Sequence, residues 1–144
     1  MITREFRRAV EQAVSNMMGL PRFVPLATPL TSTSFDGDSF STTGYVLIDL
    51  SSVFGVPAGV KAVLVQAQCR DSGSAAATDL YLALGPDAAT TLYFNVRLQG
   101  LPNDSFGSET AVVPCNADGD LYYRVQASGT NTMDVWMRIL GYWI

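Results

Sequence analysis

Apolar and polar positions alternate through most of the second half of this chain. In LYYRVQAS, Leu121, Tyr123, Val125 and Ala127 alternate with Tyr122, Arg124, Gln126 and Ser128. In MDVWMRILGYWI, Met133, Val135, Met137 and Ile139 alternate with Asp134, Trp136, Arg138 and Leu140. A period of two marks strands with one buried face. With SGTNT between them, the two arms predict a β-hairpin over residues 121–144. The apolar ending Gly141-Tyr142-Trp143-Ile144 predicts a final segment docked in a sheet. The same alternation recurs upstream: Val46, Ile48 and Leu50; Val63, Val65, Ala67 and Cys69; Leu80, Leu82 and Leu84; Leu92, Phe94, Val96 and Leu98. A further short run, ETAVVPC, contains Pro114, which implies an edge position or a strand end. About seven short strands separated by Gly/Pro/Asn/Asp turns predict an all-β fold. The expected architecture over residues 45–144 is an antiparallel β-sandwich, jelly-roll-like or Greek-key.

The pattern differs before residue 45. Ile2, Phe6, Val10, Ala13 and Met17 recur every three or four residues, with Arg4, Arg8, Glu11 and Ser15 largely opposite. This predicts one amphipathic α-helix within residues 1–19, capped by Thr3, with Glu5 in its first turn and Gly19 ending it. Two readings of its apolar stripe stand side by side. It packs on its own β domain, or it is an a/d-like seam for docking or oligomerisation, with Arg4, Arg7 and Arg8 meeting an acidic surface. About two heptads are too short to hold a coiled coil alone. Residues 20–44 carry Pro21, Pro25 and Pro29, and predict an extended, Pro-rich arm followed by a Ser/Thr/Asp/Gly loop. Asp36-Gly37-Asp38 reads as a turn, because no further calcium ligands follow at loop spacing.

Composition changes this picture in one respect. Only 15 % of the 144 residues are charged, against 48 % apolar. So few charges leave apolar surface to be buried against copies of the chain or a partner, and a homo-oligomer is expected. The net charge of −4 argues against nucleic acid. It is unevenly spread: Arg4, Arg7, Arg8 and Arg22 against Glu5 and Glu11 give residues 1–22 a charge of +2, leaving −6 for the rest. No apolar run approaches a membrane span, and the start of the chain lacks the apolar run of a signal peptide, so synthesis in a cytoplasm is expected.

Candidate chemistry is sparse. Histidine is absent, which removes the commonest general base at neutral pH. Cys69 and Cys115 are expected as buried free thiols without a nucleophilic role. Asp118-Gly119-Asp120 has the chemistry of a tight turn. No catalytic residue, metal site or cofactor is expected. The best candidates for a binding surface are Tyr93, Tyr122, Trp136 and Tyr142, on the outward phase of their strands, where aromatic faces stack on sugars or bury in subunit contacts.

Two stretches carry a family resemblance. IDLSSVFGVPAGVKAVLVQAQCRDSG runs from a D-L segment through V-P-A-G into an apolar strand. VVPCNADGDLYYRVQASGTNTMDVWMRILGYWI turns at A-S-G and closes on G-Y. Over residues 45–144 the chain resembles small β-sandwich domains of tailed-bacteriophage virion structural proteins, of head-decoration, head-fibre or tail-fibre type. The resemblance implies a non-enzymatic virion component, often trimeric, with other capsid or tail proteins as partners; on this reading the helix and Pro-rich arm of residues 1–44 dock it and the β domain oligomerises. A module of a phage fibre that binds a host surface glycan through the exposed aromatics is the alternative.

Overall fold

The computed structural model describes residues 3–17, 19–88 and 94–144. Helix α1 (Arg4–Met17) is followed by strands β1 (Phe23–Leu30), β2 (Asp36–Phe40) and β3 (Val46–Ile48), then by the short helix α2 (Leu50–Phe54). Strands β4 (Ala62–Asp71), β5 (Tyr81–Gly85), β6 (Phe94–Arg97), β7 (Gly107–Pro114), β8 (Leu121–Gln126) and β9 (Met133–Trp143) complete the described elements. All pairings are antiparallel. One sheet has the order β1-β9-β4-β7, with β2 beside β1 on the same flank of β9; the other has the order β3-β8-β5-β6.

The inner faces of the two sheets share one core, consistent with the expected β-sandwich. The alternation fixes which residues face it. Val63, Val65, Ala67 and Cys69 of β4 are buried, as are Leu121 and Val125 of β8 and Met133, Val135, Met137 and Ile139 of β9. Each fully buried Val, Leu, Ile or Met among them contributes roughly 1.5–3 kcal/mol by leaving water. Pro114 ends β7 on an edge of its sheet, where its missing N–H costs no ladder bond. Ile144 exchanges two backbone hydrogen bonds with Arg22, at 2.9 and 3.0 Å, so the last residue is tied to the sheet as expected.

Residues 121–144 are not a hairpin. β8 pairs with β3 and β5, while β9 pairs with β1, β2 and β4, so the turn between them carries the chain from one sheet to the other. Alternation reports which face of a strand is buried and is silent on whether the neighbouring strand lies beside it or across the core. The arm is likewise part of the sandwich. β1 and β2 both pair with β9, Pro25 and Pro29 sit in a strand without a neighbour on the far side, and Phe40 opposes Met133. The stretch expected as loop and plain turn holds a β-bulge at Gly37 and two core residues. Phe35 packs on Phe40, Phe54 and Tyr123, with ring centroids 5.8, 6.0 and 5.4 Å away. The connection after β3 also folds further than expected. Asp49 caps α2 by accepting from the amides of Ser51 and Ser52, Asp120 accepts from the Leu50 amide at 3.0 Å, and Gly55 closes the helix at φ +77°.

The arch between β8 and β9 is held by one buried carboxylate. Asp71, 0 % exposed at the end of β4, accepts hydrogen bonds from the amides of Gly73 and Ser128, from Thr132 Oγ1 at 3.0 Å and from Ser128 Oγ. Burial alone raises a carboxyl pKa, but these four donors outweigh it and hold Asp71 below its ordinary value. Asp71→Ala leaves the donors unpaired and is expected to cost about 2–4 kcal/mol in urea denaturation. Because the folded-state pKa is depressed, the stability contributed by ionised Asp71 is present above its unfolded pKa of about 3.9 and is lost as pH falls through the folded value. Asp71→Asn is therefore expected to flatten the loss of stability below about pH 4; an acid limb as steep as that of the wild type would assign the titration to another group.

Candidate functional site

Helix α1 forms as its sequence dictates. The Phe6 amide donates to Thr3 Oγ1 at 3.1 Å, and the Arg7 amide donates to the Thr3 carbonyl at 3.1 Å. Gly19 beyond it takes φ +66°, a conformation that glycine adopts without penalty. The helix does not lay its apolar stripe on its own sandwich. Phe6 is 57 % exposed, Val10 44 % and Met17 86 %, with Val14 and Ala13 exposed beside them. Val14 belongs to this stripe although the spacing argument passed over it. Arg4, Arg7 and Arg8 are exposed along one flank, and among the described residues none of them is ion-paired. Arg8, Glu11, Gln12 and Arg22 line an open cleft where the helix meets the start of β1. Ile2, expected at the head of the stripe, lies outside the described residues.

The candidate stacking residues do not converge. Trp136 opposes Gln68 on the outer face of the β1-β9-β4-β7 sheet, while Tyr122 opposes Leu47 on the outer face of the other sheet, across the core. Tyr142 is not outward at all. One extra residue in β9, Leu140, shifts the register between the Val65–Ile139 and Leu64–Gly141 pairs and places Tyr142 opposite buried Val63. There it packs against the core. Such a bulge reverses every later side chain in the strand, and a strict period-two reading passes straight through it. Tyr93 lies outside the described residues, as does Leu92, expected inward beside it.

Trp136 is engaged by its own fold. The guanidinium of Arg70 lies 5.6 Å from its ring centroid and 5.2 Å from that of Phe106, and the two rings are 5.5 Å apart. Asp134 fixes Arg70 through Nε at 2.9 Å and is itself held by Ser39 Oγ at 2.5 Å. At the bulge, Gly37 brings backbone against the indole: a Cβ there would come within 3.0 Å of Trp136 Cζ2. Beside this cluster, Gln66, Gln68, Trp136 and Arg138 enclose only about 40 Å³, room for a water or two. A larger groove of about 450 Å³ lies open to solvent between the loop after β4 and the arch, lined by Gly73, Ala76, Ala77, Ala127 and neighbours.

Cys69 is buried and Cys115 partly buried, and neither is in a disulfide. Burial, reinforced by Asp71 beside Cys69 and by Asp120 beside Cys115, pushes both thiols up to about 12. At neutral pH they are protonated and poor nucleophiles. Among the described residues, no three or more of His, Cys, Asp and Glu gather as a metal site, and no helix is long and apolar enough to cross a membrane. Asn116 organises the turn that holds Asp118 and Asp120, accepting from both their amides.

No protein-family model matches this chain, and no curated protein matches it. What the geometry offers is an exposed amphipathic helix beside a two-sheet core. Because both thiols are held protonated and shielded, the folded protein is expected to react with less than about one equivalent of a thiol reagent within an hour at pH 8, and with both thiols in denaturant. Rapid native reaction of both thiols would contradict the burial described for Cys69 and Cys115.

Proposed function

We propose that this chain is a non-enzymatic structural component of a bacteriophage virion, a capsid-decoration, head-fibre or tail-attached module that assembles through α1 and associates with copies of itself, as a trimer. The observation that carries this reading is the helix. A two-sheet core is already complete without it, yet the chain presents a stripe of Phe6, Val10, Val14 and Met17 that its own sandwich leaves uncovered. A large exposed apolar face of this kind marks an interaction site. Residues 20–44 enter the reading as the joint to that device, since β1 and β2 belong to the sheet.

The strand order supports the same reading by analogy. We read β2-β9-β4-β7 facing β3-β8-β5-β6 as a jelly roll, in which every connection except β5–β6 passes from one sheet to the other and β1 is an added strand. Jelly rolls recur in viral capsid and lectin domains, and fold alone does not choose between the two. The side chains favour assembly over glycan recognition. Trp136 is occupied by Arg70 and Phe106, Tyr142 is turned to the core, and Tyr122 stands on the opposite sheet. The resemblance over residues 45–144 supplies the virion context.

The test is incorporation. Particles assembled with Val10→Asp/Met17→Asp in place of the wild type are expected to lose this protein by more than about tenfold, because two apolar anchors become charged. Its melting temperature is expected to stay within a few degrees of the wild type, since neither side chain supports the core. Normal incorporation of the folded double variant would overturn the proposal.

A further inference from the structure

The surface that α1 fits is present on the molecule itself, and an inference about it rests on the reading of α1 as the assembly element. Strand β3 is a three-residue edge strand whose Leu47 stands 48 % exposed on the outer face, with Tyr45 just before the strand carrying the Arg124 guanidinium 5.2 Å from its ring centroid. Tyr122 extends this apolar surface onto β8, as the cross-strand partner of Leu47. At the far end of β3 the surface turns acidic. Asp49 follows the strand directly, Asp120 holds the Leu50 amide, and Asp118 projects from the same turn. Among the described residues, no arginine or lysine is ion-paired with any of these three carboxylates.

The helix is ordered in the same way. Arg7 flanks the apolar stripe in its first half, where the positive end of the helix dipole also lies, and the stripe continues through Val10, Val14 and Met17 in its second half. The overall charge is split accordingly, +2 over residues 1–22 and −6 over the remainder. Parallel helices bundled with one another would gather like-charged arginines, whereas a helix laid on a sandwich joins opposite charges.

We infer that α1 of one copy docks on the β3 edge of the next copy, with Arg7, the arginine that flanks the stripe, toward Asp49 and Asp118 and its apolar stripe on Leu47 and Tyr122. The contact is heterologous: each molecule offers one helix and one receptor. It closes into a ring if the rotation per copy allows, and otherwise propagates as a filament.

Two exposed substitutions in the full chain test this, read by light scattering on purified protein. Val10→Asp disables the helix and leaves the receptor; Leu47→Lys disables the receptor and leaves the helix. Wild type is expected to run larger than a monomer and to dissociate more readily when salt is raised from about 0.1 M to about 1 M, as the screening length falls from about 10 Å to about 3 Å. Each variant alone is expected to be a monomer. Mixed in equal amounts, they retain one working contact and form a 1:1 dimer that stops there, which also shows that both are folded. If Leu47→Lys alone still associates, the helices bundle with each other and the inference fails. If Val10→Asp alone still associates, the sandwiches pair without the helix and it fails equally. A wild type that is monomeric at about 0.1 mM overturns it too, while leaving the virion reading to the incorporation experiment.

Discussion

The inward row of β9 is the constraint on which the sandwich depends. Met133, Val135, Met137 and Ile139 are all at most 2 % exposed, and they can be so only if a second sheet stands opposite and β4 stands alongside. The strand spans 11 residues and is flanked on one side by the whole of β4. Its other side is divided between β1, which takes the C-terminal half, and β2, which takes the N-terminal half. Without the arm, one flank of β9 would be a long bare edge, the kind of surface on which strands of other molecules add. Residues 20–44 are thus no passive linker. They close the sheet, and the bulge at Gly37 lets the backbone turn beneath Trp136 as they do so.

Much of this was legible in the sequence because burial has a period. Wherever a strand is buried on one face, as in β4 and in both arms of residues 121–144, the inward residues are those the alternation names. What alternation cannot carry is the identity of the neighbour. β8 and β9 point their apolar rows at each other whether they lie side by side or across a core, so an arch reads like a hairpin. The distinguishing signal was polar: Asp71 is drawn to Ser128 and Thr132, more than fifty residues away. No local pattern contains that contact. Leu140 illustrates the opposite limit. A single inserted residue inverts the phase of everything after it, which turns Tyr142 inward and removes it from the candidate surface. Phe35 and Phe40 were hidden differently. They stand alone among Ser, Thr, Asp and Gly, where two aromatic residues make no period but, once folded, seal the core against Phe54 and Tyr123.

The candidate site was partly legible for a related reason. The stripe on α1 is a local pattern, and it was read from spacing alone. Whether the stripe would be covered was not, because covering depends on where the chain exits the helix. Gly19 and Pro21 lead directly into β1, and Arg22 is already paired with Ile144 at the end of the sheet. The helix leads into the rim of the sandwich, and its stripe stays exposed there. The aromatic candidates depended instead on the phases of three strands, on a bulge and on the packing of Arg70, so their failure to converge could not be seen before the register was known.

The energetics of α1 bear on what completes it. A helix of 14 residues is near the length at which even favourable sequences are marginal in water. Most helical stability in proteins comes from tertiary packing of the apolar face, and here that face is bare. The cap at Thr3 and Glu5 in the first turn each contribute on the order of 1 kcal/mol or less, whereas ordering the backbone costs roughly 1–2 kcal/mol for every residue. The sandwich meets that cost through its core, and α1 has no equivalent among the described residues. A surface that covers Phe6, Val10, Val14 and Met17 therefore supplies both the binding free energy and the helix order, so the same contact that joins α1 to its partner also fixes its conformation.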